Sequence, residues 1–153
     1  MNLVVTGGRG FIGSHFIEHA LRNGCTVDDI DKMTYASSDV LPFDADPNYS
    51  LIKKDICDVT HIPPCDALIN FAAESHVDNS IAGPTIFFNS NTSGVFNLLE
   101  LVRGKVYNRP LFFHISTDEV YGDIRGADSL ETDVLSPGNP YSASKAAAEM
   151  FVL

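Results

Sequence analysis

Along the chain, short runs of apolar residues alternate with longer stretches whose apolar positions recur every three or four residues. This is the pattern of strands and helices in a parallel α/β sheet. Leu3–Thr6 reads as a first strand, and Phe11–Asn23 as a helix closed by Gly24, a residue suited to a helix C-terminus. Thr26–Ile30, Tyr49–Lys53, Ala67–Ala72 and Leu111–Ser116 read as further strands. Asp31–Pro47 reads as loop with a short helix. Thr85–Arg103 is a long helix entered after Gly83-Pro84. A last helix starts at Tyr141 and is still running at Leu153. Two acids, Asp28 and Asp29, fall inside the second strand, so either that strand frays early or one acid faces outward. The segment Asp58–Asp66 is short for a crossover between parallel strands, which predicts a turn around Pro63-Pro64 in place of a helix.

Composition adds limits. The 153 residues suggest one domain, with 44% hydrophobic and 20% charged residues, ordinary for a globular protein. The net charge of −10 and the scattered basic residues argue against a nucleic-acid partner. No apolar stretch approaches the roughly 20 residues that span a membrane. Cys25, Cys57 and Cys65 form no C-x-x-C pair, which leaves zinc and thiol-redox motifs unsupported. Their odd number, with no signal peptide, suggests reduced thiols in the cytoplasm.

Residues 6 to 13 read Thr6-Gly7-Gly8-Arg9-Gly10-Phe11-Ile12-Gly13, between a predicted strand and a predicted helix. A tight strand-to-helix turn needs residues without Cβ clashes, and a pyrophosphate can then approach bare backbone at the helix N-terminus. Asp31 follows Gly13 by 18 residues, at the end of the second strand. A carboxylate there can bind a ribose 2′-hydroxyl and repel a 2′-phosphate, which favours NAD. Arg9 and Lys32 keep NADP as the alternative. Further along, Tyr141 and Lys145 stand four residues apart, on one face of a helix. The lysine charge is expected to lower the phenol pKa and let Tyr141 act as a base.

Three motifs thus stand in order: TGGRGFIG at 6–13, STDEVYG at 116–122 and YSASK at 141–145. Together they resemble the extended short-chain dehydrogenase/reductases. DIDKMTYAS at 29–37, DICD at 55–58 and FAAESHVDNS at 71–80 sharpen the resemblance to the dTDP-glucose 4,6-dehydratases and their UDP-glucose relatives. The resemblance implies a Rossmann-type, doubly wound parallel sheet with about five strands present. Such sheets commonly have about six strands, so residues 1–153 are expected to be one NAD-binding domain. It is expected to end within the helix carrying Tyr141 and Lys145, with the C-terminal substrate region missing.

The resemblance also implies roles. Tyr141 would take the proton of the sugar 4-hydroxyl as hydride passes from C4 to NAD. Thr117 would hydrogen-bond that oxygen, and Lys145 would hold the nicotinamide ribose. Glu119 would remove the C5 proton and Asp118 would protonate the leaving 6-hydroxyl, after which hydride returns to C6. No metal is implied. Gly7, Gly10, Phe11, Ile12 and Gly13 would form the pyrophosphate turn. Asp31, Lys32 and Thr34 would surround the adenosine ribose, and Asp55 and Ile56 would edge the adenine. Phe71, Ala72 and Ala73 would line the path to nicotinamide, and Ser90 would reach it from the long helix. Ser75, with Thr117, is the candidate for substrate contact.

An epimerase or decarboxylase of the same superfamily is the second reading, and the Asp118-Glu119 pair argues against it. A catalytically incomplete NAD-binding fragment is the third. The resemblance further implies a nucleotide-sugar substrate of undetermined base. It also implies a homodimer through Thr85–Arg103 and the helix begun at Tyr141. His114 reads as a hydrogen-bonded core histidine, and His76 as structural support near the site.

Overall fold

The computed structural model describes residues 1–123, 126 and 128–153. Strands β1 (Asn2–Thr6), β2 (Thr26–Asp31), β3 (Tyr49–Lys53), β4 (Ala67–Asn70) and β5 (Leu111–His114) form one parallel sheet in the order β3-β2-β1-β4-β5. The chain builds outward from β1 through β2 to β3. It then crosses back and builds the other way through β4 to β5. The reversal between β1 and β4 opens a crevice at the carboxyl ends of the strands, where ligands of such sheets bind.

Alternation along the strands sends residues to two buried faces. Leu3, Val5, Val27 and Ile69 pack with Ile17, Ala20 and Leu21 of α1 (Phe11–Arg22). Val4, Ile30 and Leu68 pack on the other face, against Leu98 and Val102 of a later helix and Ile56, Val59 and Ile62 of the β3–β4 crossover. As the short linker predicts, that crossover carries no helix. Its apolar residues plug the space a helix would fill. Asn97 supplies the missing hydrogen bonds, donating to the carbonyls of Ile56 (2.8 Å) and Val59 (2.9 Å).

Several expectations shift. The second strand does not fray: it runs through Asp31, with Asp28 half-buried and Asp29 fully buried. Residues 32–48 contain turns and no helix. β4 and β5 end earlier than their apolar runs. At Phe71 and Ile115 the backbone N–H groups still reach Thr6 and Asn70 of the neighbouring strands, and the chain then leaves the sheet. A short helix, α2 (Val77–Ala82), precedes the long one. The long helix is continuous from Pro84 to Arg103 but composite: α3 (Pro84–Phe87), a π-helical stretch (Phe88–Ser93) and α4 (Gly94–Arg103).

The last helix, α5 (Pro140–Val152), starts with a reciprocal cap. Asn139 accepts from the Ser142 N–H at 2.8 Å, and the Ser142 hydroxyl accepts from the Asn139 N–H at 3.2 Å. Asn91 ties it to the rest of the site. Its amide bonds both the N–H and the carbonyl of Glu74 (2.8 and 2.9 Å) and the hydroxyl of Ser144 (2.9 Å). Among the described residues, no helix is long and apolar enough to cross a membrane.

Candidate active site

The glycine turn is fixed by contact. Gly7 has φ +72°, and a Cβ there would lie 2.6 Å from the Ala72 nitrogen. A Cβ on Gly13 would lie 2.3 Å from the Gly7 carbonyl oxygen. Both positions therefore demand glycine. No side chain caps α1, so the amides of its first turn are directed at the crevice with the positive end of the helix dipole. Phe11 and Ile12 stand exposed beside them.

Beneath the turn lies a row of carboxylates. Asp29 accepts from the Gly8 N–H (2.9 Å) and the Tyr49 hydroxyl (2.9 Å). Burial pushes its carboxyl up to about 6, although the Tyr49 hydrogen bond pulls it down. Asp31 accepts three protein donors: the Arg9 N–H on Oδ2 (3.0 Å), and the Met33 N–H (2.8 Å) and Ser37 hydroxyl (3.0 Å) on Oδ1. A carboxylate has about four acceptor positions, so one remains for a ligand.

Arg9 and Lys32, near this end, are both engaged. Arg9 is 2% exposed and donates to the carbonyls of Ser38 (2.9 Å) and Asp39 (2.7 Å) and to the Asp44 carboxylate. It thereby holds residues 38–44 against the turn. Lys32 donates to Glu74 (3.1 Å) and Ser90 (3.2 Å) and lies 3.8 Å from Asp55.

One cleft is lined by Gly7, Gly10, Asp31, Lys32, Thr34, Asp55, Ile56, Phe71, Ala72, Ala73 and Ser90, all singled out in the sequence, whereas Phe11, Ile12, Gly13, Tyr141 and Lys145, singled out with them, are not in its lining. Ser37, Lys54 and Glu74 line it too and were not anticipated. Glu74 lies inside the FAAESH segment, so its position was a usable signal. Ser90 meets the cleft beside Lys32 and Glu74. Ser75 and His76 are exposed, and His76 stacks 6.4 Å from the Tyr35 ring.

The second cluster forms where β5 meets α5. Tyr141 is 9% exposed. Its phenol lies above its ordinary range: burial raises it, the Thr117 hydroxyl beside it partly offsets this, and the carboxylates of Glu119 and Asp118 push it further. The expected lowering by Lys145 is not seen. Lys145 turns instead to the Ile115 carbonyl (2.5 Å) and to His114 Nε2 (3.3 Å), and burial draws its ammonium down to about 8.

Asp118 and Glu119 open a 3₁₀ turn, Asp118–Tyr121, capped by the Thr117 hydroxyl, which accepts from the Glu119 N–H at 3.3 Å. Asp118 is exposed. Glu119 is half-buried and accepts from the Asn139 side chain at 3.2 Å, so the residue that caps α5 also holds the glutamate. Among the described residues, Ser116 Oγ is the buried side-chain oxygen left without a hydrogen-bond partner.

The sequence profile of GDP-mannose 4,6 dehydratase matches residues 4–153. The dTDP-glucose 4,6-dehydratase of Neisseria gonorrhoeae is 43% identical, over 99% of this chain and 49% of its own length. Among solved structures, the dTDP-glucose 4,6-dehydratase DesIV of Streptomyces venezuelae, which holds NAD, is 39% identical with a TM-score of 0.88. It is covered over 98% of this chain and 50% of its own. The UDP-glucose 4-epimerase of Thermus thermophilus, in complex with NAD, is 30% identical with a TM-score of 0.85, over 99% and 50%. The chain spans about half the length of the curated relatives it matches. With a five-stranded parallel sheet, a glycine turn and the Tyr141–Lys145 pair in matching order, the chain belongs to the GDP-mannose 4,6 dehydratase family of extended short-chain dehydrogenase/reductases.

Proposed function

We propose that residues 1–153 form the NAD-binding domain of a nucleotide-sugar 4,6-dehydratase, acting on dTDP-glucose or UDP-glucose. The observation that carries this reading is the Thr117-Asp118-Glu119 turn set against Tyr141. Loss of water across C5–C6 requires one group to take a carbon-bound proton and one to give a proton to the leaving hydroxyl. Two carboxyls in different surroundings can divide these tasks. Glu119, half-buried and held by Asn139, is the base for C5. Asp118, exposed and accepting from the Thr117 hydroxyl at 3.4 Å, is the acid for the 6-hydroxyl. Tyr141 exchanges the proton of the 4-hydroxyl, with Thr117 on the same oxygen. Lys145 and the α1 amides grip the cofactor.

The fit for NAD rests on this chain's own groups. Asp31 keeps one acceptor position for a ribose hydroxyl. Of the cations near the cleft, Arg9 and Lys32 are engaged by Asp44, Glu74 and Asp55 while Lys54 also lines it, so the preference for NAD rests on the carboxylate of Asp31. NAD is therefore favoured over NADP. The chemistry it supplies when bound is reversible uptake of hydride. The dimer reading rests on an exposed apolar face shared by α4 and α5, where Phe96 and Phe151 meet edge-on at 5.2 Å. Sedimentation equilibrium showing only monomer at high concentration refutes it.

The likeness to the Thermus epimerase favours one second reading, epimerisation at C4. Mass spectrometry together with ¹H NMR of the sugar, after incubation of the chain with NAD and each sugar nucleotide, separates the two. A product lighter by one water supports the dehydratase, and an isomer of unchanged mass supports the epimerase. An unaltered sugar with folded protein means the domain alone does not turn over.

A further inference from the structure

His114, read in the sequence as a core histidine, lies in a line of polar side chains that crosses the sheet. Thr6, Asn70 and His114 are successive register partners on β1, β4 and β5, the last row before the strands end. Register partners in a parallel sheet point to the same face. The Thr6 hydroxyl lies 2.5 Å from one end of the Asn70 amide, the other end lies 3.0 Å from His114 Nδ1, and His114 Nε2 lies 3.3 Å from Lys145 Nζ. The line runs from the strand feeding the glycine turn to the lysine of the Tyr141 helix.

We propose that His114 is a positioning residue for Lys145. Its neutral imidazole accepts from the ammonium at Nε2, and Asn70 and Thr6 fix the tautomer that makes this possible. An ammonium has three donors and no lone pair. Facing it, Nε2 must be bare, so the ring proton sits on Nδ1 and is donated to Asn70. The amide must then present Oδ1 to the imidazole and its NH₂ to the Thr6 oxygen. The amide stands with Nδ2 toward His114, which would place the ring proton on Nε2, donor against donor. Half a turn of the amide exchanges two atoms of nearly equal size and resolves the conflict at His114, with the Thr6 hydroxyl then accepting from the NH₂ where it now donates to Oδ1.

Burial and then the Lys145 charge depress the His114 imidazole to about 4, so the ring is uncharged at neutral pH. With the Ile115 carbonyl as the other acceptor, the ammonium is held from two sides. The consequence for cofactor binding rests on the reading of Lys145 as the ribose-binding lysine.

The test is ¹⁵N NMR of the histidine-labelled chain at neutral pH, with His114 assigned from its loss in His114→Gln. A protonated Nδ1 with a bare Nε2 is expected. A ring proton on Nε2, or an imidazolium, overturns the proposal. NAD affinity supplies the second reading. His114→Leu, which removes the acceptor, should weaken binding about tenfold, the scale of one hydrogen bond to a charged group. His114→Gln, whose Oε1 can replace Nε2, should bind within about twofold of the parent. Equal loss in both variants, or in neither, also overturns it. A parent chain that binds no NAD refutes the cofactor reading, while the tautomer still decides the role of His114.

Discussion

The glycine-turn region and the acid turn are built on opposite plans. At the glycine turn, around Gly8, Arg9, Asp29 and Asp31, protein groups engage nearly every polar atom. At the acid turn, Asp118 faces solvent, Ser116 Oγ lacks a partner, and the buried Tyr141 phenol lies near the carboxylates of Glu119 and Asp118. The first region has its shape fixed in advance, as a binding site for a constant molecule should. The second keeps its groups underused, as a site that must act on changing charges requires. The cost of altering a residue should therefore fall steeply from the first region to the second.

The largest effect is expected from Arg9→Met, which leaves Asp44 without its buried partner and the carbonyls of Ser38 and Asp39 without donors. About 4 kcal/mol of stability should be lost in urea unfolding. A loss below about 1 kcal/mol would mean that the turn does not depend on this clamp. Next comes Asp29. Its folded pKa, about 6, is above its unfolded value of 3.8. Its contribution is therefore fully present below pH 3.8 and is lost as pH rises through about 6. The parent chain should lose on the order of 3 kcal/mol across that window relative to Asp29→Asn. Parallel pH profiles for the two chains would remove the argument. Asn139→Ala, at the boundary between the regions, should cost about 1 kcal/mol through loss of the α5 cap. It should also free Glu119, lowering turnover more than stability. Asp118→Asn should change stability by less than about 0.5 kcal/mol while abolishing the proposed dehydration step. If it destabilises the fold strongly, the acid turn is a structural element and the contrast fails.

What could be read in the sequence follows the range of the forces involved. Strand positions were legible because alternation between two buried faces is a local signal, and the β3–β4 crossover was foreseen from its length. The ends of β4 and β5 were not. Apolar composition continues through Phe71, Ala72 and Ile115, past the last ladder residues Asn70 and His114, so composition alone does not mark the ends. Most residues that line the cleft were visible in the sequence because they fall in contiguous motifs. The role of Arg9 was hidden, since Asp44 lies 35 residues away with no periodic link between them. His114 was hidden in the same way. Its strand position indicated burial, but its partner Lys145 lies 31 residues on, across a helix–sheet contact. The cap at Asn139 was detectable, because Asn139-Pro140 followed by Ser142 is a helix-start signature.

The π-helical stretch in the long helix has a consequence for how this chain can vary. An α-helix turns about 100° per residue, and a π turn takes in extra backbone without passing that rotation on. Upstream, Phe87 is thereby aimed at Tyr141. Downstream, Val95 and Leu98 are buried, Leu98 against the sheet. An uninterrupted α-helix of the same length could not keep both phases at once. The segment Phe88–Ser93 works as a vernier between two patterns of burial. Its buried Ser90, Asn91 and Thr92 are held by hydrogen bonds, and a single-residue deletion would swing one flank by about a quarter turn and take either the tyrosine's neighbour or the sheet's cover out of place.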